Sequence, residues 1–296
     1  MMKLALGCVQ FGLAYGVTNK MGQVPLTEIE KILACAKQVG INTLDTAAAY
    51  GNSEQILGQL ALTNSFDIVT KIPTLSNGDT QSIHEIVTES LAKLNVQCLK
   101  ALMFHNADDL LTSNGSLYYQ GAKQFKTDRT IAQLGISVYH VQQLSTLLNQ
   151  YSFDIVQLPA NWLDQRFLTT KLLNQLSNKH IEVHARSLFL QGILIQPFEE
   201  LPDYFLPFKA WIMAFHALCQ RCNCQPLTLA LALIHLHPMI DKAVVGCCSL
   251  QQLEEIIEHY QKAEQLTHQY HELLTRVGAN IASDEQELIN PSLWSI

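Results

Sequence analysis

Short apolar segments alternate with longer amphipathic segments along almost the whole chain. Apolar runs bounded by turn residues are typical of buried strands, and eight of them follow one another: KLALGCVQ, NTLDT, FDIVTK, LKALMFH, IAQLGIS, FDIVQLP, IEVHARS and KAVVGC. The segments between them have the helical period, as in LTEIEKILACAKQVG and SIHEIVTESLAKLN. Strands that alternate with helices predict parallel β-α-β units.

Eight such units in 296 residues, without a long linker, predict an α/β fold: a closed (β/α)8 TIM barrel that forms a single domain over residues 1–296. A doubly wound open sheet is the alternative, but it usually carries a glycine-rich fingerprint after strand one, and GCVQFG lacks that spacing. Segment 193–224 exceeds a simple β-α connection, so we expect an inserted loop and helix before the last helix-strand unit. The tail 262–296 predicts a further helix and an irregular end.

Residue types at the ends of the amphipathic segments predict where helices start and stop. Thr27 and Glu30 have the spacing of a capping box, and Gly40 lies at the expected C-terminal end of the same helix. Ser249 and Gln252 repeat the capping pattern at the start of SLQQLEEIIEHY. The sequence therefore predicts helices that begin at these two caps.

Composition and charge exclude several classes of function. The net charge is −7 and there is no basic run, so the positive footprint of a nucleic-acid-binding protein is missing. No apolar run approaches the ~20 residues that a membrane-spanning helix requires. The start, MMKLALGCVQFG, is too short and too interrupted by glycine for a signal peptide. We therefore expect a cytoplasmic protein with neither nucleic-acid nor membrane partners.

The eight cysteines raise the question of a metal site. In CQRCNC, Cys219, Cys222 and Cys224 lie close together, and His216 precedes them. Zinc sites, however, usually combine two well-separated ligand clusters. Without a secretory signal the cysteines are expected to be reduced thiols, and ordinary buried or partly exposed thiols are the favoured interpretation. We predict no metal.

Polar residues end most of the predicted strands. In a (β/α)8 barrel the catalytic side chains come from the C-terminal strand ends, which meet on one face. The polar residues at these ends, which should point into one mouth, are Asp45, Lys71, His105, Ser137, Gln157, Arg186 and Ser187. Tyr50 follows the second strand by a few residues and is expected at the same mouth.

Asp45, Tyr50, Lys71 and His105 together suggest proton transfer to a carbonyl oxygen. An ammonium group beside a phenol favours the phenolate, so Lys71 is expected to lower the pKa of Tyr50 from its usual ~10. A carboxylate holds the lysine, and the histidine can hydrogen-bond the carbonyl. Such general acid catalysis contributes on the order of 10²–10⁴-fold while hydride reaches the carbon. Each residue alone has a structural explanation, as a solvated lysine, a core histidine or a helix-capping carboxylate, but all four on neighbouring strand ends favour catalysis.

The segment LDTAAAYGNSEQILG resembles the Asp-Thr-Ala-x-x-Tyr-Gly-x-(Ser/Asn)-Glu motif of the aldo-keto reductase superfamily. IVTKI and ALMFHN are similar to the strands that carry the family's lysine and histidine, and the resemblance covers essentially the whole barrel. It implies that Tyr50 donates the proton, that Lys71 and Asp45 tune it, and that His105 orients the substrate carbonyl. Because the chain begins almost directly on strand one, it is similar to the shorter bacterial-type members.

The resemblance also implies a nicotinamide dinucleotide, commonly NADPH, extended across the barrel mouth. Ser137 and Gln157 match the residues that hold the carboxamide, although Val138 replaces the asparagine that follows the serine. Ser187 and Leu188 occupy the positions beside the pyrophosphate. The remaining expected contacts of the cofactor are Gly7, Gln10, Asp45, Arg186, Gly246, Cys248, Gln252 and Glu255.

Arg186 replaces the aromatic residue that commonly stacks on the nicotinamide in the resembled family. A guanidinium plane can stack on a ring, although its positive charge would disfavour the oxidised cofactor. A salt bridge between Arg186 and a carboxylate at the mouth is the alternative, and the sequence does not separate the two.

The segment VVGCCSLQQLEEII after the last strand departs from the pattern that binds the cofactor's 2′-phosphate. Glu255 is kept, but Gln252 replaces an arginine and Ile256 replaces an asparagine, and the segment contains no Lys or Arg. Backbone N–H groups at a helix start can also bind phosphate. The expected cofactor is therefore NADPH, with NADH as a possible substitute.

These observations predict an NAD(P)H-dependent oxidoreductase that reduces an aldehyde or ketone to an alcohol, or catalyses the reverse reaction. Its partner would be a small carbonyl substrate, and the chain would be a monomer or small homo-oligomer. The alternative is a regulatory subunit that binds the cofactor with little turnover, which the four retained residues disfavour. A barrel lyase or isomerase using Lys71 and His105 would not explain why Tyr50 lies near the lysine.

The sequence carries little information on substrate identity. Specificity is expected in the long loops after strands one, four and seven. The aromatic residues of these and neighbouring loops are Tyr15, Tyr118, Trp162, Phe198, Tyr204 and Phe205. They could stack on a sugar or an aromatic aldehyde, or simply pack the loops.

Overall fold

In the computed structural model, which describes residues 2–75 and 82–296, eight parallel strands form a closed barrel. Consecutive strands pair in sequence order, and β8 pairs with β1 to close the barrel. The strands are β1 (Leu4–Gly7), β2 (Thr43–Asp45), β3 (Asp67–Ile72), β4 (Leu99–Phe104), β5 (Ile131–Ser137), β6 (Ile155–Pro159), β7 (Glu182–Arg186) and β8 (Lys242–Gly246). The predicted (β/α)8 fold is confirmed, and each predicted strand is present.

The helices cover the outside of the barrel. They are α1 (Val9–Gly12), α2 (Leu26–Gln38), α3 (Ser53–Gln59), α4 (Ile83–Leu94), α5 (Gly115–Thr127), α6 (Val141–Gln150), α7 (Thr170–Asn178), α8 (Lys209–Arg221), α9 (Pro226–Leu236), α10 (Leu250–Gly278) and α11 (Gln286–Ile289). Within the described residues, no helix is both long enough and apolar enough to cross a bilayer.

The predicted insertion between β7 and β8 is confirmed. It consists of three short 3₁₀ helices, Leu190–Gly192, Phe198–Glu200 and Asp203–Phe208, followed by α8. The C-terminal segment differs in detail from the prediction, because α10 runs without interruption into the tail and departs from helical geometry only at Tyr270 (φ −116°, ψ 21°). No proline or glycine occurs between Leu250 and Val277, so nothing in the sequence stops the helix earlier.

The two predicted caps have different outcomes. Ser249 caps α10 as expected, since its side chain accepts a hydrogen bond from the backbone N–H of Gln252. The capping box at Thr27 and Glu30 is wrong: the N-cap of α2 is Pro25, two residues before Thr27, and the helix begins at Leu26 without a capping side chain. A proline pre-set at φ −64° starts this helix without a side-chain acceptor.

Alternate residues of each strand point into the barrel, because successive side chains of a strand face opposite ways. The middle of the barrel contains an apolar cluster of Val69, Ala101, Met103 and Ile155. Two residues further along β3 and β6, Lys71 and Gln157 therefore point inward at the C-terminal end. The same alternation brings the polar strand ends predicted from the sequence to one mouth.

Candidate active site

A cavity of about 860 Å³ opens at the C-terminal ends of the strands. Its lining includes the residues predicted at the mouth or as contacts of the cofactor: Gly7, Gln10, Asp45, Tyr50, His105, Ser137, Gln157, Arg186, Ser187, Leu188, Gly246, Cys248, Gln252 and Glu255. Lys71 is the exception, since it is buried behind Asp45 and Tyr50. The structure brings the predicted residues together, whereas their roles toward a ligand stay predictions.

A buried ion pair lies at the base of the cavity. Lys71 Nζ is 2.5 Å from Asp45 Oδ1 and 3.0 Å from the carbonyl oxygen of Thr46. The other carboxylate oxygen, Asp45 Oδ2, accepts a hydrogen bond of 2.7 Å from Gln157 Nε2. Burial acts to lower the pKa of Lys71, but the carboxylate of Asp45 and the phenol of Tyr50 outweigh it and raise the pKa. Lys71 is therefore held as an ammonium group in a fixed position.

The phenol of Tyr50 lies beside this ammonium group. Lys71 Nζ is 5.2 Å from the centre of the Tyr50 ring. The expectation of a lowered phenol pKa is wrong: burial raises the pKa of Tyr50, and the opposing effect of Lys71 is smaller. Removal of water from the phenolate costs more than one nearby ammonium recovers, particularly with Asp45 neutralising it. Tyr50 is consequently protonated at neutral pH.

The ring of His105 completes the group from the end of β4. It packs edge-on against Tyr50, with ring centroids 5.5 Å apart and an interplanar angle of 83°. Burial, assisted by the positive charge of Lys71, lowers the pKa of His105 to about 4. The imidazole is therefore neutral at physiological pH, so one ring nitrogen can donate a hydrogen bond and the other can accept one.

The residues after Tyr50 explain how its loop is held. Gly51 adopts φ +57°, and a Cβ there would lie 2.4 Å from the carbonyl oxygen of Gly12, so the turn requires glycine. The hydroxyl of Ser53 donates to the carbonyl of Cys8 at 2.9 Å. Glu54 is buried and accepts a hydrogen bond of 2.6 Å from Thr70 on β3. The motif Tyr-Gly-Asn-Ser-Glu thus fastens the tyrosine loop to β1 and β3.

Arg186 lies at the end of β7 without a carboxylate partner among the described residues. Its guanidinium carbon is 4.2 Å from the centre of the Tyr139 ring, and its nitrogens donate to the carbonyl of Val138 (3.1 Å) and the hydroxyl of Ser187 (3.3 Å). The salt-bridge alternative is therefore wrong within the described part of the chain. Arg186 is a stacked cation facing the cavity.

Two loops meet across the cavity, a contact that the sequence did not reveal. The hydroxyl of Thr18, in the loop after β1, donates to the carbonyl of Gln191 after β7 at 3.0 Å. The amide of Gln191 accepts from the N–H of Val17 (3.1 Å) and donates to the hydroxyl of Tyr15 (3.1 Å). Gly192, at φ +96°, is required because a Cβ there would lie 2.0 Å from Thr18 Oγ1. No local pattern predicts contacts between loops so distant in sequence.

Most of the loop aromatic residues serve packing. Of the six loop aromatic residues predicted from the sequence, all of them described in the structure, Tyr15 alone lines the cavity. Burial raises the pKa of Tyr15 to about 12. Trp162 is buried and donates from Nε1 to the carbonyl of Leu229 at 2.6 Å. The others belong to helix α5 or the insertion and its contacts with the tail: Tyr118, Phe198, Tyr204 and Phe205. Tyr139, which the sequence analysis did not single out, lines the cavity two residues after Ser137.

The cysteine cluster lies outside the cavity, at the end of α8. Cys224 N–H donates to the carbonyl of Cys219 at 3.1 Å, and the two thiols hydrogen-bond each other. Over residues 2–75 and 82–296 no group of three or more His, Cys, Asp or Glu side chains is arranged to hold a metal ion. Cys219 and Cys224 therefore bond to each other, and their arrangement does not require a ligand.

Comparisons with known proteins agree with this architecture. A sequence model of the Aldo/keto reductase family matches residues 3–278. No curated protein matches the chain. Among solved structures, the holo form of an aldo-keto reductase from Bacillus halodurans superposes with a TM-score of 0.73 at 16% identity, covering 96% of this chain and 95% of that chain. A Pseudomonas aeruginosa protein assigned to the aldo-keto reductases superposes with a TM-score of 0.66 at 21% identity, covering 88% and 90% of the two chains.

Proposed function

Because the chain belongs to the aldo/keto reductase family, we propose that it is an oxidoreductase that reduces an aldehyde or ketone to an alcohol, or catalyses the reverse, with a nicotinamide dinucleotide. One observation carries the proposal: the ammonium group of Lys71 contacts both Asp45 and the phenol of Tyr50 at the base of the cavity. A lysine held between a carboxylate and a phenol is suited to proton transfer, and a purely structural lysine does not need the phenol.

Tyr50 is the proposed proton donor. Its raised pKa keeps the hydroxyl protonated at neutral pH, so the proton is present when a carbonyl oxygen develops negative charge. The phenolate left behind is stabilised by the ammonium group of Lys71, which Asp45 holds in position. In the reverse direction the same phenolate accepts the alcohol proton. The residue therefore acts as general acid or general base, depending on the direction of the reaction.

His105 is the proposed positioning group for the substrate carbonyl. Its neutral imidazole, packed edge-on against Tyr50, can donate a hydrogen bond to the same oxygen that receives the proton from Tyr50. A neutral histidine adds no positive charge beside Lys71, so the ammonium group remains the principal stabiliser of the phenolate. We assign His105 to orientation rather than to proton donation.

The cavity has features that fit a dinucleotide. Gln10 Oε1 is buried and has no hydrogen-bond partner within the protein, which leaves an acceptor for a ligand. A Cβ at Gly246 would lie 2.7 Å from both polar atoms of the Gln10 side chain, so the glycine makes room for the Gln10 amide at the cavity wall. The residues proposed to hold the cofactor are Gly7, Gln10, Asp45, Ser137, Gln157, Arg186, Ser187, Leu188, Gly246, Cys248, Gln252 and Glu255. When bound, the nicotinamide supplies hydride to the carbonyl carbon.

A titration followed by an activity panel tests the proposal. NADH and NADPH are added to the protein while nicotinamide fluorescence is recorded, and aldehydes and ketones are then assayed with the dinucleotide that binds. Binding with turnover of at least one carbonyl is the expected result. Failure of both dinucleotides to bind would overturn the proposal, and binding without turnover on a broad panel would favour the regulatory alternative. A cytoplasmic location and a monomer or small homo-oligomer remain predictions.

A further inference from the structure

The start of α10 forms the part of the cavity in which a 2′-phosphate of the dinucleotide would bind. Cys248, Gln252 and Glu255 line the cavity there, next to Gly246 at the end of β8. A dinucleotide that carries a 2′-phosphate needs donors for a group of charge about −2, whereas a 2′-hydroxyl needs only an acceptor or donor of ordinary strength. The number of free hydrogen-bond donors at the start of α10 therefore affects whether the protein binds NADPH or NADH more tightly.

Three backbone N–H groups at the start of α10, those of Cys248, Leu250 and Gln252, are already bound by protein acceptors. Gln252 Oε1 accepts from the N–H of Cys248 at 2.7 Å. Glu28 Oε1, from helix α2, accepts from the N–H of Leu250 at 2.8 Å. The hydroxyl of Ser249 accepts from the N–H of Gln252 at 3.2 Å. A helix start is a favourable place for an anion when its N–H groups are free, and here the carboxylate of Glu28 is the anion bound to it.

Charge at this part of the cavity is also unfavourable for a phosphate. The described lysine and arginine residues that line the cavity are Lys20 and Arg186. Lys20 lies 3.8 Å from Glu200 in the insertion, and Arg186 is stacked on Tyr139 at the end of β7. The ionisable side chain that lines the cavity at α10 is that of Glu255. Glu28 lies outside the cavity lining; hydrogen bonds from the N–H of Leu250 and from Lys31, at 3.1 Å, lower its pKa and keep it ionised at the helix start.

We infer that this protein selects NADH over NADPH, and that Gln252 and Glu28 contribute to the selection by occupying two of the N–H groups to which a 2′-phosphate would bind. The inference rests on the proposed function, since it concerns the dinucleotide of the same cavity. It reverses the preference for NADPH implied by the family resemblance. A ribose 2′-hydroxyl can donate to a carboxylate such as that of Glu255, as acidic residues do in other dinucleotide sites. We expect NADH to bind at least about tenfold more tightly than NADPH, because the phosphate meets the carboxylate of Glu255 and finds two N–H groups of the helix start already bound.

The test is a pair of binding titrations with NADH and NADPH on the full chain, read by nicotinamide fluorescence and by the shift in Tm at saturating dinucleotide. Gln252→Arg frees the N–H of Cys248 and adds a guanidinium group at the cavity wall. This variant should bind NADPH about tenfold more tightly than the wild type does. Gln261→Arg is the matched control, because it adds the same charge to an exposed position of α10 outside the cavity lining.

The outcomes distinguish a failure of the NADH preference from a failure of the proposed function. Tighter binding of NADH by the wild type, with a gain for NADPH in Gln252→Arg and not in Gln261→Arg, supports the inference. Equal or tighter binding of NADPH by the wild type overturns the inference and leaves the proposed function standing. An equal gain for NADPH in both variants contradicts the assignment to Gln252. If neither dinucleotide binds, the proposed function is wrong and the inference falls with it.

Discussion

Both ends of the barrel bury ionisable side chains, and the two groups differ in what they leave available. At the C-terminal end, Lys71 and Asp45 have side chains that are 0% and 3% exposed, yet Tyr50 and His105 beside them face the cavity. At the N-terminal end, Glu182 accepts hydrogen bonds from Gln133 at 2.8 Å and is 2.9 Å from Nε2 of His184. The first group holds a proton donor at a cavity, whereas the second hydrogen-bonds within itself and does not line that cavity.

Burial of an ionisable side chain therefore does not by itself identify a functional residue in this fold. Glu182, His184 and Arg186 are alternate residues of the same strand, so they point into the same barrel at successive depths. Arg186 lines the cavity, but Glu182 lies at the opposite end of the strand, where barrel residues contribute to stability. We therefore expect variants at the C-terminal group to lose activity and variants at the N-terminal group to lose stability.

The largest expected effect comes from removal of the phenol hydroxyl. Tyr50→Phe should lower kcat for carbonyl reduction by about 10²–10⁴-fold, because it removes a general acid and leaves the ring in place. The Kd of the dinucleotide should change by less than about twofold, since the variant keeps the shape of the cavity. Steady-state kinetics and a fluorescence titration check both numbers. Normal reduction by the variant would show that another group supplies the proton.

Breaking the buried ion pair should have the next largest effect. Lys71→Met leaves Asp45 as an uncompensated buried carboxylate, which should lower the free energy of unfolding by about 3–5 kcal/mol. Lys126→Met is the matched control, because Lys126 Nζ pairs with Asp154 Oδ1 at 2.6 Å on the surface. That variant should lose no more than about 1 kcal/mol. Chemical denaturation measures both, and similar losses in the two variants would refute the distinction between buried and exposed pairs.

A smaller loss of stability is expected at the N-terminal end. Glu182→Gln removes the charged acceptor of His184 and keeps the size of the side chain, so it should cost about 1–3 kcal/mol of unfolding free energy. Its kcat should stay within about twofold of the wild type, because Glu182 does not line the cavity. Denaturation and steady-state assays on the same preparation check the two expectations. A large fall in kcat with unchanged stability would contradict the assignment of this end to stability.

The two ends should also respond to acid in different pH ranges, which is the smallest of the expected effects. Burial lowers the pKa of His105 to about 4, so the unfolded chain binds a proton first and stability falls between about pH 6.5 and 4. The hydrogen bond from His184 lowers the pKa of Glu182 to about 2. Its contribution is complete above about pH 4.5 and is lost as the pH falls toward 2.

Variants assign each range to its residue. His105→Gln should reduce the loss of stability between about pH 6.5 and 4, and the part that remains belongs to other histidines whose pKa burial lowers, such as His237. The difference in stability between the wild type and Glu182→Gln should shrink only below about pH 4.5. Urea denaturation at a series of pH values measures both. If Glu182→Gln instead changed the stability between about pH 6.5 and 4, the assignment of the two pH ranges to the imidazole of His105 and the carboxyl of Glu182 would be incorrect.

The sequence predicts the barrel and the grouping at its mouth because both depend on local patterns. Strand runs and helical periods are visible in short windows, and the closed barrel then brings the ends of β2, β3 and β4 together. Asp45, Lys71 and His105 end these strands or follow them directly. The topology therefore makes neighbours of residues that are far apart in sequence.

Features that depend on tertiary packing were not predicted correctly from the sequence. The pKa of Tyr50 rises rather than falls because burial depends on the whole loop and not on the nearby lysine alone. The contact between Thr18 and Gln191 joins loops 173 positions apart and has no sequence signature. Helix α2 begins at Leu26 because Pro25 supplies the backbone geometry, which overrode the capping pattern two residues later. Each miss reflects a non-local or backbone effect that residue type does not display.

The most direct test of the account is a single-turnover measurement of carbonyl reduction, with Tyr50→Phe and Glu182→Gln preloaded with the same reduced dinucleotide. We expect Glu182→Gln to reduce the carbonyl at close to the wild-type rate, whereas Tyr50→Phe should be slower by about 10²–10⁴-fold. Equal rates in the two variants would contradict the assignment of proton transfer to the C-terminal end of the barrel.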